Sequence, residues 1–319
     1  MGTTGLPSNP LTLAATNIAA KVGDPPVGSV LIVASPPKAH IAEAVADRLR
    51  RRIETHLLHL ERHASEALAW LPPALQDLAS EGWGLVLLCS PIHAQLLFRA
   101  VGRPDTGLRI DATYLFCDWL IRPQSLVRTY AIDMGELRRF REALLHRLEG
   151  ATALRITSAA GTDIRLTPRH WESTDGEVFT APIEAETEGR VVVDGCIYDQ
   201  VPSKPPTLVI RRGRVTNLDV LDASQQQRWL YNDLTRDANG AVVAEFGLGI
   251  NPGALWDADL MEAEQARGTC HVGFGNNLPF GGANRSAMHV DVVLRHPTIT
   301  AEGHVGADLV VCQNGIYQL

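Results

Sequence analysis

Val30-Leu-Ile-Val-Ala-Ser35 is a nearly unbroken apolar run, closed by Pro36-Pro37 and followed by a helix-patterned stretch from Ala39 to Ile53. Such a run suits a strand covered on both faces, as in a parallel sheet flanked by helices. The alternation recurs outward from it. Leu57-Leu-His-Leu60 is a short strand candidate, and His63–Leu78 has helical period with Pro72-Pro73 inside it. A proline pair should break or restart that helix. Trp83-Gly-Leu-Val-Leu-Leu-Cys89 repeats the buried-strand signature, and an Arg/Glu-rich amphipathic helix from Glu136 to Leu148 ends at Gly150, a residue suited to a left-handed helix terminus. Strands alternating with helices predict an α/β N-terminal domain with a parallel sheet over residues 1–150. The Pro/Gly/Ser-containing start, up to about Gly28, reads as partly loose.

From Ala151 the character changes. Leu154-Arg-Ile-Thr157, Asp163-Ile-Arg-Leu-Thr167, Arg190-Val-Val-Val-Asp194 and Leu208–Val215 are short strands, with Arg212-Gly213 a hairpin turn. One helix is predicted over Ser224–Asp237, and glycine becomes frequent from Gly247 to Gly315. Residues 151–319 therefore read as an α+β C-terminal domain with a largely antiparallel sheet.

The composition suits this two-domain reading. The chain has 319 residues, 45% hydrophobic and 20% charged, ordinary for a globular protein of two cores. A net charge of −7, with no basic run longer than Arg50-Arg51-Arg52, argues against a nucleic-acid partner, which needs clustered cations. No apolar run reaches the roughly 18–20 residues of a membrane span, and Met1–Pro10 lacks the pattern of a signal peptide. Cys89, Cys117, Cys196, Cys270 and Cys312 are widely spaced with no CxxC, which suits reduced thiols in the cytoplasm.

Nearly all groups able to carry chemistry lie after residue 170, in three stretches. They are Asp175-Gly-Glu177-Val-Phe-Thr-Ala-Pro182, then Ala244-Glu245-Phe-Gly-Leu-Gly-Ile-Asn-Pro252 leading through Glu262 and Glu264 to Gly268-Thr-Cys-His271-Val-Gly-Phe-Gly-Asn276, and Phe280-Gly-Gly-Ala-Asn-Arg-Ser-Ala-Met-His289-Val-Asp291. Residues two apart on a strand face one side, so His289 and Asp291 converge, as metal ligands, as a His–Asp pair or as a polar surface strand. Glu245 lies in apolar sequence and needs a partner, an ion or backbone N–H groups. Taken singly, His271 is a core histidine, Glu177 a solvated carboxylate, and Glu262 and Glu264 the solvated face of a short helix. Taken together, carboxylates with two histidines are a ligand set for one or two divalent ions, Zn, Mn, Co or Fe(II). Either a two-metal hydrolytic site or a single ion for oxygen chemistry satisfies that set. There is no GxSxG, P-loop or HExxH, and Cys270, a strand neighbour of His271, faces away from it.

In order and content these stretches resemble the thermophilic metalloaminopeptidase family (aminopeptidases T and S, leucyl aminopeptidase-like). Its elements are Gly-Glu-Val/Ile-Phe-Thr-x-Pro, Ala-Glu-Leu/Phe-Gly-x-Gly-x-Asn-Pro, Glu-x-x-x-Gly-Thr-x-His-x-x-x-Gly and Gly-Gly-x-Asn-x-Ser-x-x-His-x-Asp. The resemblance covers residues 150–319, including Ser158-Ala-Ala-Gly-Thr-Asp163 and Val193-Asp-Gly195. It implies an aminopeptidase T-like fold and two metal ions held by Glu177 and Glu245, one of them bridging, with His271, His289 and Asp291. Glu264 matches the Glu before Gly-Thr-x-His and implies a supporting role, and Leu278 stands where the family has a tyrosine ligand. The same scaffold resembles 2,5-dihydroxypyridine 5,6-dioxygenase, a mononuclear Fe(II) ring-cleaving enzyme. That branch has His at the position of Glu245 and an active-site His from the first domain, which His93 would match here.

The resemblance implies a metal-dependent hydrolase, with Glu245 retained. Metal-activated water would cleave an amide bond of a peptide or small molecule, with Glu177 or Glu264 as proton shuttle. A homodimer is expected by the same likeness. The alternatives are the Fe(II) dioxygenase and a metal-free binding relative that keeps only the fold.

Overall fold

The computed structural model describes residues 9–61, 67–89, 115–118, 120, 122–257, 259–303 and 308–319. The chain divides into two compact units, Met1–Met134 and Gly135–Leu319.

The first unit carries a four-stranded parallel sheet, β1 (Ser29–Ala34), β2 (Glu54–His59), β3 (Gly84–Leu88) and β4 (Leu115–Asp118), in the order β2-β1-β3-β4. Every residue of β3 is buried, as is nearly all of β1, whereas edge strand β2 is half exposed. Helices α1 (Pro10–Lys21), α2 (Ala39–Leu49), α3 (Ala67–Ser80) and α4 (Pro123–Tyr130) complete the described part of the unit. Helix α2 buries Ile41, Ala42, Val45, Ala46 and Leu49, one helical face.

Two expectations are corrected here. The chain start is not loose from residue 9 on: Asn9 caps α1 by accepting the Leu11 N–H, Pro10 is its first residue, and Ala14, Ala15, Ile18 and Ala19 are buried. Helix α3 runs through Pro72-Pro73. Leu71 and Leu75 sit in the same core cluster as Val33, Leu85 and Leu87, so packing on the sheet holds the helix where its own hydrogen bonds are missing.

The turn after β1 holds an unusual group. Lys38 is fully buried, and its ammonium donates to the Cys89 carbonyl at 2.8 Å and the Leu120 carbonyl at 2.5 Å. It thereby ties the carboxyl end of β1 to the segments that follow β3 and β4.

The second unit begins with α5 (Met134–Leu148), which includes the last residue of the first unit. Then come β5 (Ala153–Thr157), β6 (Asp163–Leu166), β7 (Glu172–Ser173), β8 (Glu177–Thr180), β9 (Glu188–Val192), β10 (Thr207–Arg211), β11 (Arg214–Val215) and α6 (Gln225–Leu234). The chain closes with β12 (Val243–Gly249), α7 (Leu260–Ala263), β13 (Thr269–Gly275), β14 (His289–Arg295), β15 (Thr298–Glu302), β16 (Leu309–Gln313) and β17 (Ile316–Tyr317). They form two antiparallel sheets, eight-stranded in the order β11-β10-β9-β6-β5-β15-β16-β17 and five-stranded in the order β14-β13-β12-β8-β7. Alternating residues of the larger sheet are buried, Leu154 and Ile156, Ile164 and Leu166, Ile299 and Ala301. The hairpin between β10 and β11 turns on Arg212 and Gly213, both left-handed (φ 48° and 74°), the geometry a two-residue hairpin favours.

The division between the units falls at 134/135, not at 150. Helix α5 goes with the second unit because Glu136 accepts two hydrogen bonds from Arg267, at 3.1 and 3.2 Å. Phe140 also lies 3.9 Å beneath that guanidinium and meets the Tyr317 ring edge-on.

Lys38→Met is expected to lower unfolding stability by about 2–3 kcal/mol, because hydrogen bonds to charged groups are of that size. Urea denaturation measures it, and an unchanged midpoint would contradict the role given to Lys38.

Candidate metal centre

The five-stranded sheet is built to present charge from an apolar interior. Every residue of β12 and β13 is buried. In the pairing register Glu245 lies opposite Gly273, Gly273 opposite Asp291, Gly247 opposite His271, and Gly249 opposite Glu177. Paired residues of antiparallel strands share a face, so one face receives Glu177, Glu245, His271, His289 and Asp291.

Glycine makes the space. A Cβ on Gly247 would stand 2.0 Å from the His271 ring, and one on Gly273 would stand 2.6 Å from Asp291 Oδ1 and 2.8 Å from Glu245 Cβ. Both are far inside contact distance. Gly247 of the Phe-Gly-Leu-Gly run and Gly273 of the Val-Gly-Phe-Gly run are therefore required by the side chains opposite them.

Glu245 is the centre of the cluster. Its Oε1 is 3.4 Å from His271 Nε2, and its Oε2 is 3.3 Å from His289 Nε2. His271 Nε2 is also 3.5 Å from Glu177 Oε2, and His289 Nε2 is 3.3 Å from Asp291 Oδ2. Two groups can each surround an ion, Glu177–Glu245–His271 and Glu245–His289–Asp291, with ligand atoms within 4.8 Å of one another. His289 Nδ1 is 2.8 Å from the Asn276 carbonyl, a bond that aims Nε2 inward.

The electrostatics follow from burial and mutual contact. Burial pushes Glu177 up, Glu245 and Asp291 add to the rise, and His271 opposes it. Glu245 moves the other way: burial works against its charge, but hydrogen bonds with His271 and His289 hold it well below the ordinary carboxylate range. Burial disfavours charge on both imidazoles, and the surrounding carboxylates outweigh it and raise them. Two buried polar atoms, Asp291 Oδ1 and His271 Nδ1, have no hydrogen-bond partner. Three carboxylates, two imidazoles and an unpaired carboxylate oxygen on a largely buried sheet face fit a divalent cation better than they fit one another.

Glu264 follows α7 directly and is buried with the cluster, not on the solvated face that its short helix suggested. Burial and then the charges of Glu177 and Asp291 raise it well above the carboxylate range, yet it belongs to neither ligand group. Glu262 is likewise buried, but turned elsewhere, accepting the Leu255 N–H at 3.0 Å. Cys270 is buried on the opposite face, beside Leu294. His93 lies outside the described residues.

Two features were missed in sequence. Phe280 stands edge-on to the His289 ring, with centroids 5.1 Å apart, and against Phe179. The turn that carries it (Leu278–Phe280) is anchored by buried Asn277, whose amide donates to Glu184 Oε1 at 2.7 Å and whose Oδ1 accepts the Asn284 N–H. Leu278 itself is exposed. Only the polar Asn277-to-Asn284 spacing hinted at this closed loop.

One likeness to known proteins lies within this unit, and two others run through nearly the whole chain. The family model of 2,5-dihydroxypyridine 5,6-dioxygenase matches residues 167–311, a span that contains all five ligand candidates and Glu264. No curated protein matches the chain in sequence. Among solved structures, 2,5-dihydroxypyridine dioxygenase from Pseudomonas putida KT2440 is 19% identical with a TM-score of 0.67, covering 98% of each chain. Wild-type AmpT (aminopeptidase T) from Thermus thermophilus is 15% identical with a TM-score of 0.62, covering 96% of this chain and 99% of its own. The chain has the aminopeptidase T-like fold.

Glu184 gives a pH prediction. Burial opposes its charge, but Arg169, the Ala283 N–H and Asn277 outweigh it and hold the carboxyl down to about 2. A depressed folded-state value contributes stability above the unfolded value near 4.5, lost as pH falls toward 2. Glu184→Gln is expected to cost about 1–3 kcal/mol at neutral pH, with the gap to the parent closing below about pH 4. Denaturant titrations across pH measure this, and a gap that persists at pH 2 would contradict it.

Proposed function

We propose that the chain is a metal-dependent hydrolase that cleaves an amide bond of a peptide or small molecule. One observation carries the reading: the two oxygens of Glu245 face different histidines, so two ligand groups share one carboxylate. Each group has one histidine and two carboxylates. Neither is the two-histidine, one-carboxylate set of mononuclear iron oxygenases.

Glu177, Glu245 and His271 would hold one ion and Glu245, His289 and Asp291 a second, drawn from Zn, Mn, Co or Fe(II). Bound there, such ions polarise a carbonyl and lower the pKa of water. The protein supplies the rest. Glu177 is a ligand in this arrangement, so the proton work falls to Glu264, which is buried beside the cluster and free of both groups. Once cations in the two groups offset the neighbouring carboxylates and leave it ionised, Glu264 would accept a proton from the attacking water and return it to the departing nitrogen. Phe280 and Phe179 wall the His289 side with apolar surface, which favours an apolar substrate group.

A second reading, opening of a hydroxylated heteroaromatic ring by O₂ at one Fe(II), is supported by the family match over 167–311. Elemental analysis of reconstituted protein distinguishes the two: two equivalents of Zn, Mn or Co with release of chromophore from aminoacyl anilides is expected. One equivalent of Fe with oxygen uptake on 2,5-dihydroxypyridine would replace the hydrolase reading with the second. Glu264→Gln is expected to lower kcat by about 100-fold or more, the scale of general acid–base catalysis, with metal content unchanged. Undiminished kcat in that variant would remove Glu264 from the mechanism.

A further inference from the structure

A second concave site lies on the same unit, away from the metal ligands. It is a cavity of about 340 Å³ lined by Trp256, Arg267, Arg295, His296, Asn314 and Ile316, among others. Arg295 belongs to β14, four residues beyond Asp291 and on the same face, roughly 13 Å further along the strand. Val293 lies between them and is buried with Cys196 and Ala263. That apolar plug separates the cavity from the metal ligands.

The two guanidinium groups differ. Arg267 is fully engaged, by both oxygens of Glu136 and by the Ile250 carbonyl. Arg295 lies over the Trp256 ring at 4.6 Å, and its side chain is 31% exposed. Its one ionic partner among the described residues is Asp194, whose Oδ2 stands 3.8 Å from Nε, beyond hydrogen-bond reach. Asp194 Oδ1 is occupied by the Arg295 backbone N–H at 2.9 Å. The buried Nε therefore has no acceptor. A guanidinium stacked on indole, 31% exposed away from its buried Nε and with no side-chain hydrogen bond among the described residues, is open to a planar, two-oxygen acceptor.

We propose that this cavity binds an organic monocarboxylate, with the carboxylate on Arg295 and its apolar body against Trp256 and Ile316. Asp194 stands against Arg295 and Glu136 against Arg267, so the formal charges balance and the site suits at most a singly charged, largely apolar anion. A dianionic phosphate fits that count poorly. The site is independent of the metal reading, because none of its lining residues belongs to the ligand groups.

Calorimetric titration of metal-stripped full-length protein with benzoate tests this, with inorganic phosphate as the comparison anion. Saturable binding of one benzoate per chain is expected, and phosphate should bind more weakly. Arg295→Gln should weaken benzoate about tenfold or more, and Arg295→Lys, which keeps charge but loses the fork, by less. Each variant's thermal transition reports whether it is folded. No saturable benzoate binding, phosphate binding tighter than benzoate, or equal benzoate affinity in folded Arg295→Gln would overturn the proposal.

Discussion

An excess of buried negative charge on one face of the five-stranded sheet is the constraint on which the second unit depends. Glu177, Glu245, Asp291 and Glu264 share that face with only two imidazoles. Buried carboxylates in apolar surroundings are tolerated when cations or hydrogen bonds compensate them. Without an added cation, that charge pushes Glu177, Glu264 and both histidines toward their protonated forms. A divalent ion in each ligand group would replace those protons and use the unpaired Asp291 oxygen.

The glycines are the counterpart of that charge. Strand interiors rarely benefit from glycine, yet positions 247 and 273 sit in the two most buried strands of the unit. Their cost in the sheet is met by what they admit, the His271 ring and the Glu245–Asp291 pair. The Asn277–Glu184 anchor then fixes the turn that brings Phe280 against His289. The ligand set and its apolar wall are thus held by strands and one anchored turn.

Much of this was legible in sequence, for reasons that can be named. The apolar run at Val30–Ala34 read as an interior parallel strand because no polar face interrupts it, and the structure pairs it on both sides. His289 and Asp291 could be placed together because a strand repeats every two residues. Other features depend on register or tertiary contact and left no local trace. That Gly247 faces His271 requires knowing which strands pair. Glu262 and Glu264 read as solvated because a helix of four residues, α7, carries no period that marks its buried side. The start of the chain was misjudged although its signals, Asn9 before Pro10, were present. The boundary near 150 followed the change from helical to strand pattern, while α5 joins the second unit through Glu136 and Phe140. Lys38 gave no warning, since a lone lysine after a strand is ordinarily solvated.

The central claim is that Glu245 bridges two cation positions. Diffraction from crystals soaked in Mn²⁺ or Zn²⁺, with anomalous difference maps at the metal edge, tests it most directly. Two peaks are expected, one on each side of the Glu245 carboxylate, the first beside His271 and Glu177 and the second beside His289 and Asp291. A single peak away from Glu245, or none at saturating metal, would contradict the account.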